Sequence, residues 1–375
     1  MTRNSKNHIA SFFILAHRIF IVNSVLKTIL SPHPFFHLRV ILNTMIDKVR
    51  VGVLRGGISP EYDVSLKTGG AVLEHLPKEK YHPVDILLTK DGTWHINGLQ
   101  TDLPKISRKV DVVFNALHGE YGEDGKVQRL FEHFNIPFTG SGSLSSAVGM
   151  HKGLAKEEFK KAGLRTAKYV IFPGERIKND VKRPHLFQML VIDILENIPT
   201  PLVAKPVNGG SSVGTFIART EMDLPGILLD LADSGWDIIF EEFIAGKEAT
   251  CGVVDDFRGE KLYSLLPVEI RPLESSQFFD YTAKYGGGSE EICPGNFTRD
   301  ESRVIQNMAR SAHRALGLRH YSRSDFIVTP KGIYILETNT LPGLTEQSLL
   351  PKSLEAVGSS LPEFLDHVVN LALRS

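Results

Sequence analysis

Cysteine is scarce in this 375-residue chain: Cys251 and Cys293 are its only two, and they form neither a CxxC pair nor a metal-ligand spacing. They read as reduced cytosolic thiols. Charge of either sign is not in excess. The 43 Lys and Arg balance the 43 Asp and Glu, so the basic footprint of a nucleic-acid binder is missing. No uninterrupted apolar run approaches the roughly 20 residues that a membrane span needs, and no membrane partner is expected. The dinucleotide fingerprint GxGxxG and the Walker A loop GxxxxGK[ST] are both absent. The first 46 residues lack Asp and Glu altogether, yet carry Arg3, Lys6, Arg18, Lys27 and Arg39. That bias resembles a targeting peptide or a surface-lying amphipathic segment. The alternative, which we favour, is initiation at or near Met45, with residues 1–47 an extension outside the fold.

What remains is long enough for two or three domains. Arg50–Leu54 reads as a first strand ending in Gly56-Gly57, a pair that lets backbone approach a ligand closely. A helix is expected from about Ser65. This order opens a doubly wound α/β sheet, with further strands at Val84–Leu88 and Val110–Phe114. The loop His118-Gly119-Glu120-Tyr121-Gly122-Glu123 follows the last of these. It is either a site or a plain polar connection. Thr139–Ser143 reads as a linker. A helix over His151–Lys161 carries Lys152 in its first turn, where the helix dipole disfavours a cation unless an anion lies near. Lys205 ends the apolar strand Leu202–Pro206. The small-residue loop Val207–Ser212 beyond it is able to fold over phosphates or to be an ordinary hairpin loop. Ile238–Ile244 is a strand followed by Glu248, and Glu274–Phe297 has the irregularity of a lid. The helices near Val304–Ala315 and Pro362–Leu373 read as core.

Arg323–Leu349 gathers the densest chemistry. Phe326–Val328 and Ile333–Leu336 are β-prone, with Pro330-Lys331-Gly332 between them. A three-residue loop sets Asp325 opposite Glu337 and Arg323 opposite Asn339, whereas a two-residue loop separates them onto opposite faces. The first register makes a hard-oxygen face suited to Mg²⁺, with Arg323 beside it. Taken alone, the stretch reads equally well as a hairpin with a solvated polar face.

Seven phrases in order resemble the D-alanine–D-alanine ligases of the ATP-grasp superfamily, over about Lys48–Ser375. They are Gly56–Ser65, His118–Gly125, Thr139–Gly142, Lys205-Pro206 with Gly210–Gly214, Asp280–Tyr285, Arg323–Asp325 and Glu337–Gly343. The resemblance implies an α/β (α+β ATP-grasp) fold of three subdomains: residues 48–140, a central 141–240 and a catalytic 241–375. It implies a cytoplasmic homodimer that joins two D-alanines through an acyl phosphate for peptidoglycan synthesis, using ATP and two Mg²⁺ or Mn²⁺ ions. Asp325, Glu337 and Asn339 would hold the metals. Lys152, Lys205, Ser212 and Lys284 would hold phosphates, and Glu241, Ile244 and Glu248 adenine and ribose. Glu61 would take the first ammonium, linked to Ser211 and Tyr285, with His118 near that substrate. Arg323 and the Gly343 N–H would stabilise the oxyanion, and Ser348 and Leu349 would take the second carboxylate.

Some positions depart from the family pattern. His151 replaces the usual Asp or Asn, Asn208-Gly209 replaces a charged pair, and Leu344 and Glu346-Gln347 are unusual beside the second-substrate pocket. Competing expectations are a ligase using D-lactate, D-serine or another amino acid second, and a nucleotide binder without catalysis. Arg323 argues against the last, since a pure binder needs no oxyanion arginine.

Overall fold

Val51–Leu54 shows no polar alternation, and all four residues are buried. Their strand is covered on both faces, as central parallel strands are. In this computed structural model, which describes residues 48–210, 213–272 and 289–374, β1 (Val49–Gly56) pairs in parallel with β2 (Tyr81–Leu88) and β5 (Val112–Asn115). Val51 and Val53 pack with Val72 and Phe114 on one side, while Leu54 joins Ile86, Val127 and Phe131 on the other. Sequence reasoning expected a doubly wound parallel sheet, and its parallel core is present. The structure adds an antiparallel edge, β3 (Trp94–Ile96) and β4 (Leu99–Thr101), giving the order β4-β3-β2-β1-β5. The cause is Asn97-Gly98, whose positive φ values of 49° and 79° make the two-residue turn that hairpins favour.

Gly56 serves the fold more than a ligand. At φ +91° a Cβ there would stand 2.3 Å from the Leu88 carbonyl oxygen, which accepts from Gly57 N–H at 2.7 Å. The helix after it spans Tyr62–His75, three residues earlier than expected.

Two antiparallel sheets follow. One has the order β6-β9-β7-β8, from Tyr169–Phe172, Ile238–Glu242, Leu202–Pro206 and Phe216–Ala218. The other has the order β13-β12-β10-β14-β15. Its strands are Ser289–Ile292, Val268–Pro272, Lys247–Phe257, Tyr321–Thr329 and Gly332–Asn339, with β11 (Glu260–Ser264) also paired to β10. Part of the expected lid is therefore strand β13, while Phe278–Gly288 lies outside the described residues. Helix Arg299–Ala315 opens with a Thr298/Glu301 capping box and buries Ile305, Ala309 and Ala312. Val304, expected inward, is 41% exposed.

The last helix, Leu361–Arg374, buries Phe364, Leu365, Val368, Val369 and Ala372 as its period predicts. Its partners include Val51, Val53 and Phe114 of the first sheet. Each such side chain contributes about 1.5–3 kcal/mol of burial. Tyr81 Oη donates to Asp366 Oδ1 at 2.6 Å and Lys80 Nζ to Oδ2 at 2.8 Å, fixing the helix polar edge to the start of β2. The Thr139–Ser143 stretch is no loose linker. Thr139 and Ser141 are buried, Gly140 N–H donates to His320 Nδ1 at 3.1 Å, and Arg319 Nε donates to the Gly140 carbonyl at 2.9 Å.

Candidate active site

The β14–β15 hairpin sets Arg323 opposite Asn339 and Asp325 opposite Glu337, as the first register requires, but by a different route. Thr329 pairs with Gly332, so the loop is only Pro330-Lys331. The phase error that a two-residue loop brings is undone by a bulge between Asp325 and Phe326: Glu337 faces Asp325, Ile335 faces Phe326, and Leu336 is the extra residue. Leu336 and Glu337 consequently face the same cavity.

Two cavities meet at this hairpin. The first, about 540 Å³, is lined by Glu61, His118, Asn339, Gly343, Ser348 and others. The second, about 390 Å³, is lined by Lys205, Glu241, Ile244, Glu248, Asp325 and others. Lys152, Arg323, Glu337 and Leu349 line both. The hairpin thus joins an apolar-floored slot to a polar chamber.

Two buried lysines meet Glu241 at the second cavity. Lys205 Nζ stands 3.1 Å from Glu241 Oε2, and Lys156 Nζ 3.2 Å from Oε1 of the same carboxylate. All three are shut from solvent or nearly so. Burial opposes the Lys205 charge, but Glu241 and Glu337 outweigh it and hold the ammonium above its usual range. Burial prevails at Lys156 and lowers it. Burial alone would raise Glu241, yet the two lysines hold it below the ordinary carboxylate range. Glu241, expected with Ile244 and Glu248 to serve adenine and ribose, lines the cavity, and its partners are these two lysines.

Sequence reasoning missed Lys156. A signal existed: Lys152, Ala155, Lys156 and Phe159 are all buried on helix Lys152–Lys161, and their spacing i, i+3, i+4, i+7 puts Lys156 inside the apolar stripe. Lys152 Nζ donates to the Gly209 carbonyl at 2.6 Å, and burial lowers its pKa. His151 takes over the capping role: its Nδ1 accepts from Leu154 N–H at 3.1 Å, as an Asp or Asn would.

The first cavity is built on loops and helix starts. Glu61 precedes helix Tyr62–His75, and a Cβ at Gly119, where φ is +69°, would meet its Oε2 at 2.5 Å. Ser59 Oγ donates to the His118 carbonyl at 2.7 Å. The His118 ring lies between Thr68 Oγ1, 2.8 Å from Nε2, and Glu123 Oε1, 3.4 Å from Nδ1. Glu123 also accepts from Gly119 N–H at 3.1 Å. Thr68 escaped sequence reasoning, and Glu123 appeared there only within its loop. Ser348 precedes helix Leu349–Ala356 and its Oγ accepts from Thr345 N–H at 3.1 Å.

Arg323 donates from Nε and Nη2 to the two Asp325 oxygens, both at 3.1 Å. Thr250 Oγ1 donates to Asp325 Oδ1 at 2.5 Å, and the Asn339 side-chain oxygen accepts from Leu341 N–H at 3.0 Å. Glu248 lies on β10, and burial with the Asp325 charge pushes its carboxyl up to about 7. Among the described residues no three His, Cys, Asp or Glu side chains converge as a self-sufficient metal cage. Two carboxylates and an amide on one hairpin, Asp325 at the second cavity, Asn339 at the first and Glu337 at both, instead fit a hard cation that takes its other oxygens from phosphate and water. Ser211, Ser212, Lys284 and Tyr285 lie outside the described residues. Among those residues no helix is long and apolar enough to cross a membrane.

Comparisons with known proteins bear on the family and the fold. The family described as D-ala D-ala ligase C-terminus matches residues 158–370, and D-ala D-ala ligase N-terminus matches residues 50–106 and 96–141. A D-alanine–D-alanine ligase of Desulfotalea psychrophila is 38% identical, over 87% of this chain and 96% of its own length. A Bacillus anthracis D-alanine–D-alanine ligase structure, complexed with ATP, is 30% identical with a TM-score of 0.70, covering 87% of this chain and 98% of that one. The VanG D-Ala:D-Ser ligase structure from Enterococcus faecalis is also 30% identical, with a TM-score of 0.73 over 87% of this chain and all of that one.

Proposed function

The chain belongs to the D-alanine–D-alanine ligase family of ATP-grasp enzymes, and from that membership we infer that it joins two D-alanines with ATP, supplying the dipeptide for peptidoglycan. A carboxylate is a poor electrophile, so the reaction first gives it a leaving group. A donor D-alanine oxygen attacks the γ-phosphorus and ADP departs. The acceptor amine then attacks the acyl carbon, the C–N bond forms and phosphate leaves.

The observation that carries this reading is the shared wall. Lys152, Arg323 and Glu337 line a nucleotide-sized slot and a polar chamber at once, so a phosphoryl group and a substrate carboxylate are able to meet there. Lys152 and Lys205 would grip phosphates, while Ile244 and Glu241 take adenine and Glu248 the ribose. Glu61 would hold the donor ammonium beside His118. Arg323, steadied by Asp325, and the Gly343 N–H would receive the oxyanion. Ser348 and Leu349 would take the acceptor carboxylate. Ser211 and Tyr285 would complete the group around Glu61, with Ser212 and Lys284 on the phosphates. Asp325, Glu337 and Asn339 would hold two Mg²⁺ or Mn²⁺ ions, which when bound neutralise phosphate charge. The division at residues 48–140, 141–240 and 241–375, a homodimer and a cytoplasmic location belong to the same proposal.

Phosphate release with ATP and Mg²⁺, and product masses, test it. D-Alanine alone should yield the dipeptide and L-alanine nothing. The likeness to VanG favours one second reading, D-serine as acceptor. A mixed product formed only when D-serine is added would establish that reading instead. No turnover with any D-amino acid would overturn both.

A further inference from the structure

Lys352 and Glu291 come from different elements, helix Leu349–Ala356 and strand β13, and meet on the wall of the first cavity. Lys352 Nζ donates to Glu291 Oε2 at 2.6 Å. The side chains are 35% and 16% exposed, so the pair is neither a solvated surface contact nor sealed in the core. Among the described residues Glu291 is the hydrogen-bond acceptor of the Lys352 ammonium, which has three donors to offer. Lys352 lies four residues after Ser348, hence on the same face of the helix, and Ser348, Leu349 and Lys352 line one cavity. It also occupies the first turn, where the helix dipole disfavours a cation unless anions are close. One such anion is Glu291.

We propose that Lys352, oriented by Glu291, reads the carboxylate of the acceptor amino acid and so determines that the acceptor carries a free α-carboxylate. The inference rests on the ligase reading and deepens it. Ser348 and the Leu349 N–H offer neutral donors from the helix start, and Lys352 adds the charge that separates a carboxylate from an uncharged amide. Glu291 keeps the long lysine side chain aimed at the wall. The donor D-alanine is bound elsewhere in the chamber, beside Glu61 and His118, so the pair acts on one of the two amino acids only.

The test offers D-alanine and D-alaninamide together at equal concentration with ATP and Mg²⁺. D-Alaninamide has no carboxylate to activate, so it serves only as acceptor, and the two products differ in mass. The full-length protein should form mainly D-alanyl-D-alanine. Lys352→Met should lower the ratio of dipeptide to dipeptide amide by about tenfold, the effect of one charge-assisted hydrogen bond. Its KM for ATP should stay within about twofold. Lys352→Arg should restore most of the ratio, and Glu291→Gln should fall between. If Lys352→Met folds poorly, Lys352→Gln carries the same reading. An unchanged product ratio in a folded Lys352 variant, with stability alone reduced, would overturn the proposal and leave the pair a tie between β13 and the helix. If the unaltered protein forms neither product, the ligase reading falls and this one with it.

Discussion

Around the second cavity, the proposed nucleotide side, the charged groups stand largely on strands and are paired: Lys205 on β7 and Glu241 on β9, with buried Lys156 joining them from a helix, and Asp325 on β14 with Arg323. Around the first cavity, the proposed substrate side, the groups stand on loops and helix starts, held mainly by single hydrogen bonds: Ser59 to the His118 carbonyl, Thr68 to its ring, Thr345 to Ser348. The first arrangement is preformed and costly to unbalance, because each buried charge depends on another. The second is assembled mainly from hydrogen bonds, with Glu123 and the Lys352–Glu291 pair as its charged members, and adjusts more cheaply. Phosphate chemistry asks for fixed positive charge, whereas recognition of a small zwitterion asks for placed donors and acceptors.

The sharpest way to break that comparison is at the shared wall. Arg323→Ala should lower kcat by about 10²–10³, as loss of an oxyanion donor does, while calorimetry still detects ATP binding. An equal loss of ATP binding would assign Arg323 to the nucleotide side alone. Glu241→Gln leaves Lys156 and Lys205 without their buried countercharge. It should cost roughly 3–5 kcal/mol in urea unfolding and raise the KM for ATP more than that for D-alanine. Glu123→Gln should act in the other direction, raising the donor D-alanine KM about tenfold with the KM for ATP unchanged.

The smallest effect is a pH dependence at Glu248. Its carboxyl is raised from 4.5 to about 7 by burial and by Asp325. Between those values the native chain keeps a proton that the unfolded chain has released, so this group makes stability fall as pH rises through the window. In metal-free buffer Glu248→Gln should flatten that slope in thermal unfolding. An unaltered slope would place Glu248 in a wetter site.

Strand periodicity made one cavity partly legible in advance, and the hairpin shows the limit. Arg323, Asp325, Glu337 and Asn339 were placed on one face by alternation, and they occupy it. The turn assumed for that register was wrong, because nothing in the residues marks Leu336 as a bulge. Lys205 was visible as a cation in an apolar strand, while Lys156 passed as one more helical lysine until its stripe position is read. Substrate-side groups follow no period. His118 was marked by its glycine-rich loop, Glu61 and Ser348 came from the resemblance, and Thr68 came from neither, since a threonine facing a histidine across a helix is a tertiary fact. The antiparallel edge at Asn97-Gly98 was legible and went unread.

The packing of the last helix on the first sheet bears on how the chain is made. A ribosome delivers Val51, Val53 and Phe114 early and Phe364, Leu365 and Val368 last. One face of the sheet that emerges first, covered in part by helix Tyr62–His75, therefore waits incompletely covered through nearly the whole of translation, and the carboxyl end completes the cover. Ligase chains cut short before residue 361 would present the uncovered part of that face to chaperones and proteases, which makes the final helix a seal on completed synthesis.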